Sequence, residues 1–308
     1  METKYLLVVI GPTAIGKTAL SIALANHFSC EILSCDSRQF YKEMTIGTAV
    51  PGESELAAAP HHFIQHKSIF ENYTVGDFEK QAIPKIDLLH QSNRMAILVG
   101  GSGLYVNAVL HGLDVFPAID PTIRDRITKA FNDFGIGYLQ EQLQLLDPQY
   151  FDKLKLENPQ TLENPQRLMR FLTVSIGAGK PYSSFLNQTK IERNFVPILI
   201  GLEANRNVLY NRINQRVDSM VMNGLLAEVK KVYEYRNLNA LNTVGYKELF
   251  DYLDDKISFD EAISEIKKNT RHFAKRQLTW FKRNESVDWL DFETNKDEII
   301  SLIETKMI

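Results

Sequence analysis

Near the start of the chain, Gly11, Pro12, Thr13, Ala14, Ile15, Gly16, Lys17 and Thr18 fit G-x-x-x-x-G-K-[ST] at every fixed position. The glycines let the backbone curl until successive N–H groups face one anion, and the N-terminus of a following helix adds positive partial charge. Lys17 supplies a point charge for outer phosphate oxygens, and the Thr18 hydroxyl suits a hard cation such as Mg²⁺. The pattern points to a di- or triphosphate without saying which. Asp36, in the run Cys35-Asp36-Ser37, is the second candidate. At the carboxyl end of a strand beside the loop, its carboxylate would act as a base or help hold a metal; an Asx turn or helix cap is the alternative use. The later core strands end in neither Asp-Asp nor Asp-Glu, the pair that holds Mg²⁺ in motor-type nucleotide hydrolases, so a routine ATPase is not expected.

Other groups carry weaker signals. Lys267, Lys268, Arg271, Lys275, Arg276, Lys282 and Arg283 concentrate positive charge in a chain whose net charge is −3. They suit RNA phosphates, or simply a solvated helix face. His61 and His62 are adjacent, which directs their rings apart, so a structural role or a pocket edge is expected rather than a metal. Trp280 and Phe281 are expected in the core. The two cysteines, Cys30 and Cys35, form neither a redox pair nor a disulfide framework.

The elements that must position these residues are legible in outline. YLLVVI (5–10) is the continuous apolar run of a strand buried on both faces, and 18–27 shows helical spacing with Leu20, Ala23, Leu24 and Phe28 on one face. Further strands are expected at 31–34, 95–99 and 195–202. Strands alternating with helices imply an α/β fold: a doubly wound parallel sheet carrying the phosphate loop. The stretch 120–184 lacks strand runs and is broken by Pro121, Pro148, Pro159, Pro165 and Pro181. It reads as a helical insertion into a core made of 1–119 and 185–308. Helices are expected over 205–216, 225–235 and 246–253. Ser258 with Glu261 forms a capping box that opens a long helix, with Phe259, Ile263, Ile266, Phe273 and Trp280 as its buried stripe. With 44% apolar and 24% charged residues, no signal-peptide pattern and no bilayer-length apolar run, a cytoplasmic enzyme acting as a monomer away from membranes is the expectation.

Taken in order, the motifs resemble those of the tRNA dimethylallyltransferases (tRNA isopentenyltransferases). They are GPTAIGKT (11–18), DSRQFYKEMTIGTAVP (36–51), PHHFI (60–64), GGSGLYVNAVLHGL (100–113) and NPQRLMRFLTV (164–174). GKPYS (179–183), RVDSMVMNGLLAEV (216–229), TVGYKEL (243–249) and KNTRHFAKRQLTWFK (268–282) complete the series. The resemblance implies transfer of a dimethylallyl group from dimethylallyl diphosphate to N6 of an adenosine. That adenosine lies immediately 3′ of the anticodon in tRNAs reading codons that begin with U. It implies Mg²⁺ as cofactor and the tRNA anticodon stem-loop as partner. By the same resemblance Asp36 is the general base, Lys17, Thr18, Arg216 and Ser102 complete the catalytic set, and the loop 11–18 with Arg216 grips the diphosphate. Thr18 would bind the metal. The implied tRNA-facing residues are Asp36, Ser37, Arg38, Gln39, Ser102, Arg124, Gln166, Arg167, Leu168, Met169, Arg170, Asn242, Thr243, Val244, Gly245, Tyr246 and Lys247. Three positions depart from the family pattern: Ser102 replaces a usual threonine, Val50 a usual lysine, and Phe171-Leu172 a usual Ala-Leu. The competing readings are a small-metabolite kinase, a prenyltransferase of free adenine nucleotides and a non-enzymatic RNA-binding module.

Overall fold

A computed structural model describes residues 2–187 and 191–307. The chain forms two compact units, Met1–His111 with Glu192–Ile308, and Gly112–Ile191. The second unit is wider at both ends than the 120–184 expected of the insertion.

The strands of the first unit are β1 (Tyr5–Ile10), β2 (Ile32–Ser34), β3 (His61–His62), β4 (Met95–Gly100), β5 (Val196–Glu203) and β6 (Val287–Asp291). They form one sheet in the order β3-β2-β4-β1-β5-β6, with every pairing parallel. Its first helices are α1 (Lys17–His27), α2 (Glu53–Ala58), α3 (Val75–Ser92) and α4 (Gly103–His111). All six residues of β1 are buried, because helices cover both faces of the sheet. Leu7 and Val9 pack with Leu20 and Leu24 of α1, whereas Leu6 and Val8 meet Phe78 and Ile86 of α3 and Val109 of α4. That alternation is the period of two of a strand. Register pairs Tyr5 with Met95 on one side and Val196 on the other, so the phosphate loop leaves the middle of the sheet.

The second unit, taken alone, is helical: α5 (Pro121–Leu146), kinked at Gly135, α6 (Pro148–Glu157) and α7 (Pro165–Ala178). Leu139, Leu143, Leu168 and Phe171 are among its core residues. Buried Asp147 accepts hydrogen bonds from the Tyr150 and Ser183 amides and the Ser183 hydroxyl.

The chain then adds α8 (Arg206–Met222), α9 (Leu225–Val232), α10 (Tyr246–Leu253), α11 (Phe259–Phe281) and α12 (Lys296–Thr305) to the first unit. The helix expected at 205–216 runs on to Met222, and the one expected at 225–235 stops at Val232, followed by a 3₁₀ turn at Tyr233–Tyr235. The capping box of α11 is formed: the Ser258 hydroxyl accepts the Glu261 amide and the Glu261 carboxylate accepts the Ser258 amide. The buried line of α11 differs from the expected stripe. It consists of Ala262, Ile266, Ala274, Gln277 and Phe281, while Phe273 is 38% exposed beneath the Arg276 guanidinium. Ile266 belongs to both, whereas Phe259, Ile263 and Trp280 are half-buried beside the line, packed against the neighbouring core clusters. No helix among the described residues is long and apolar enough to cross a membrane.

Candidate active site

The phosphate loop curls as its composition demands. Gly11, Ala14 and Gly16 adopt φ of 147°, 65° and 111°. A Cβ on Gly11 would lie 2.6 Å from the Leu202 carbonyl of the adjacent strand, so only glycine fits. Two outside side chains hold the curl. Arg212 of α8 donates through Nε to the Ala14 carbonyl at 2.8 Å, and Gln277 of α11 accepts the Thr13 amide at 2.9 Å. The Lys17 ammonium folds back onto the Gly11 and Pro12 carbonyls at 3.1 and 2.8 Å. Burial lowers its pKa to about 8, with the Asp36 carboxylate opposing and Arg216 adding to the fall.

Arg216 lies one helical turn beyond Arg212. Burial pulls its pKa down while Asp36 and Glu55 hold it up, and its guanidinium makes no hydrogen bond or ion pair among the described residues. A half-buried cation without a bonded partner is a seat for an anion. Asp36 follows β2 on the same rim. Its Oδ1 accepts the Arg38 amide at 3.0 Å in an Asx turn, and its Oδ2 accepts nothing among the described residues. The local turn and a reactive carboxylate are therefore compatible uses of one side chain.

Lys17, Thr18, Arg216 and Asp36 line one cavity of about 430 Å³. Ala49, Pro51, Ile64 and Val99 supply an apolar stretch of its wall, and His61 lies at its edge. His62 pairs with Glu31 instead. Ser102 is not part of the cavity lining. Its hydroxyl accepts the Ser37 amide at 3.1 Å and donates to the Ser37 hydroxyl at 3.2 Å, fixing the turn that follows Asp36. Among the described residues no group of three or more His, Cys, Asp or Glu could hold a metal. The oxygen donors present, Thr18 and Asp36, suit a Mg²⁺ that takes most of its ligands from phosphate and water.

Several residues expected to face tRNA are committed elsewhere. Leu168, Met169 and Tyr246 are buried at 0%, 4% and 0% exposure, so their side chains cannot reach RNA. The Arg38 guanidinium donates to the Asn239, Ala240 and Asn242 carbonyls. Gln39 donates to the Thr48 and Ala49 carbonyls and so shapes the cavity wall. Asn242 and Lys247 are exposed in the first unit, as are Arg124, Gln166, Arg167 and Arg170 in the second. The cationic face of α11 is largely engaged: Lys267 pairs with Asp218, Lys268 with Glu265 and Lys282 with Glu203, while Arg271 bonds Asn214. Those partners compete for these side chains with the RNA phosphates that the basic cluster is expected to suit.

Glu228 of α9 lies in the 216–229 motif, but the sequence assigns it no role. Its carboxylate accepts the Thr45, Ile46 and Gly47 amides at 3.0, 2.8 and 2.9 Å and the Tyr246 hydroxyl at 2.7 Å. The segment after Asp36 is thus anchored from below. Glu228→Ala should lower unfolding free energy by about 1–3 kcal/mol, since amides lose a charged acceptor. It should also raise hydrogen exchange at residues 45–47. A denaturant midpoint and amide protection equal to wild type would remove the anchoring role.

Residues 39–284 match the family described as IPP transferase. The chain is 63% identical over 300 residues to a tRNA dimethylallyltransferase of Flavobacterium johnsoniae, covering 97% of each. Its identity to the Flavobacterium psychrophilum enzyme of the same name is 60%, covering 98% of this chain and 99% of that one. A crystal structure of the Bacillus halodurans tRNA isopentenylpyrophosphate transferase superposes with a TM-score of 0.72 at 37% identity, covering 99% and 97% of the two chains. A eukaryotic dimethylallyltransferase acting on tRNA gives 0.82 at 26% identity, covering 99% of this chain and 79% of that one. A motif set matched along nearly the whole length, on the same parallel-sheet framework, means that the chain belongs to the IPP transferase family.

Proposed function

We infer that this chain transfers the dimethylallyl group of dimethylallyl diphosphate to N6 of the adenosine 3′-adjacent to the anticodon, in tRNAs reading codons that begin with U. The observation that carries the reading is the one cavity that Lys17, Arg216 and Asp36 line together with an apolar stretch of wall. An allylic carbon–oxygen bond breaks when charge on the departing diphosphate is neutralised. Lys17, Arg216 and the loop amides supply that neutralisation from fixed positions. Thr18 would hold a Mg²⁺ at this site, and the ion would supply further charge neutralisation. The adenine amine is a weak nucleophile because its lone pair is delocalised into the ring. Proton transfer to the free Oδ2 of Asp36 as the C–N bond forms makes attack feasible. The reaction balances: the C–O bond to diphosphate breaks, the C–N bond to N6 forms, and the N6 proton leaves to the carboxylate. A base reaches such a cavity only when flipped out of its stack, and a base seated there would shield the allyl group from water.

Asn242 and Lys247, with Arg124, Gln166, Arg167 and Arg170, form the proposed tRNA-contacting set. Action in the cytoplasm as a monomer belongs to the same proposal. The test incubates the protein with radiolabelled dimethylallyl diphosphate and unmodified tRNA, followed by nucleoside analysis. Label on N6 of the adenosine beside the anticodon is expected. Label only on free adenine nucleotides, or turnover of ATP without prenyl transfer, would overturn the reading.

A further inference from the structure

We propose that Gln277 is a positioning residue whose carboxamide fixes the spacing between the phosphate loop at Thr13 and the Gly101–Ser102 loop. The proposal rests on the activity inferred above and adds a residue to which that reading gives no part.

Gln277 is the one strongly polar side chain on the buried line of α11. Its Oε1 accepts the Thr13 amide at 2.9 Å, and its Nε2 donates to the Gly101 carbonyl at 2.9 Å. A carboxamide offers an acceptor and a donor in that arrangement at any pH; an ionised carboxylate lacks the donor, and a thioether has no donor and only a weak acceptor. The opposing loop is shaped to receive it. A Cβ on Gly101 would lie 2.1 Å from Nε2, and one on Gly103 would lie 2.2 Å from the Trp280 ring. Gln277 and Trp280, three residues apart on one face of α11, therefore come down directly on bare backbone.

The two tethered loops serve different substrates. Thr13 belongs to the loop that grips the leaving diphosphate. Ser102 follows Gly101 and holds Ser37, the neighbour of Asp36, on the adenine side. The Thr13 amide is taken by Gln277, so the contribution of this side chain is distance rather than charge. A displacement of about 1 Å between reacting groups costs on the order of 10²-fold in rate.

Two variants test this on the full-length protein. Gln277→Met keeps the volume and removes both hydrogen bonds. Its single-turnover rate at saturating substrates should fall about 10- to 100-fold. KM for each substrate and affinity for inorganic diphosphate should stay within about threefold, and the amplitude of the single turnover should stay at wild type, since loss of folded protein lowers that amplitude and leaves the rate constant unchanged. Gln277→Glu keeps the acceptor for Thr13, but its ionised form opposes the Gly101 carbonyl and its protonated form donates to it. Its rate should therefore climb toward wild type as pH falls from 8 to 6, against a wild-type profile without that climb. A methionine variant within about twofold of wild type, a loss confined to KM, or a glutamate variant whose pH profile parallels wild type would each overturn the proposal. If the methionine variant does not fold, the glutamate profile alone decides. A wild type that transfers no prenyl group would overturn the activity reading and this inference with it; an active wild type with indifferent variants overturns this inference only.

Discussion

Asp36→Asn should retain both substrates and lose about 10²–10⁴-fold in kcat, the range expected when a general base is removed from a proton-transfer step. Asparagine keeps an oxygen to accept the Arg38 amide, so the turn that presents the side chain survives the change. What disappears is basicity at the second oxygen. The substitution also removes the negative charge that helps keep Lys17 protonated and supports the Arg216 guanidinium. Affinity for inorganic diphosphate should therefore hold steady at pH 7, and its decline at high pH should begin earlier than in wild type. Rapid-quench measurement of single turnover beside calorimetric titration of diphosphate separates these effects. Near-normal kcat with a raised KM for tRNA would move Asp36 from chemistry to recognition.

The phosphate loop, Asp36 and the parallel core were legible because each is dictated by residue type. Glycines must stand where the backbone curls, a lysine where phosphate charge collects, and continuous apolar runs where both faces of a strand are covered. β3 and β6 were not legible. β3 has two residues, and β6 is an edge strand whose sequence, VDWLD, mixes polar with apolar side chains. The stripe of α11 was legible only in part, because apolar type does not tell Ile266, which is buried, from Phe273, which is exposed, and cannot show that a glutamine, Gln277, is buried against the bare backbone of Gly101. The site showed the same division. Arg216 stands unbonded at the cavity, as a charged group expected to meet an anion should. Tyr246, Leu168 and Met169 lie in motifs that resemble tRNA-facing segments, yet they supply the packing that holds those segments in shape. A motif marks a place in the fold, and alternate residues within it serve the surface and the core. Glu228 and Gln277 stand inside two of the motifs, yet their roles were not legible because their partners lie 181 and 264 residues away along the chain, so no local pattern records the pairing.

Arg216→Ala should reduce turnover on the order of 10²–10³-fold, comparable to removing one preorganised group from a site of developing negative charge. Burial disfavours the charged form of this side chain, so the free protein holds a cation whose compensation arrives with the diphosphate. As negative charge grows on the leaving oxygen the interaction strengthens, which places the loss in kcat as well as in KM. Arg216→Lys should recover only part of the activity, because a point charge does not reproduce a planar two-pronged contact. Lys17 adds a pH signature. Its pKa of about 8 in the free protein means that the ammonium is charged below that pH and progressively neutral above it. Bound diphosphate favours the charged form, so affinity should be level below pH 8 and fall by about tenfold per pH unit above it. Lys17→Arg keeps the charge at alkaline pH and should flatten that fall, whatever its absolute affinity. Titration of inorganic diphosphate between pH 7 and 10 reads both slopes. A wild-type affinity that stays level to pH 10, or an alanine variant at Arg216 with near-wild-type turnover, would mean that the cavity grips something other than a departing diphosphate.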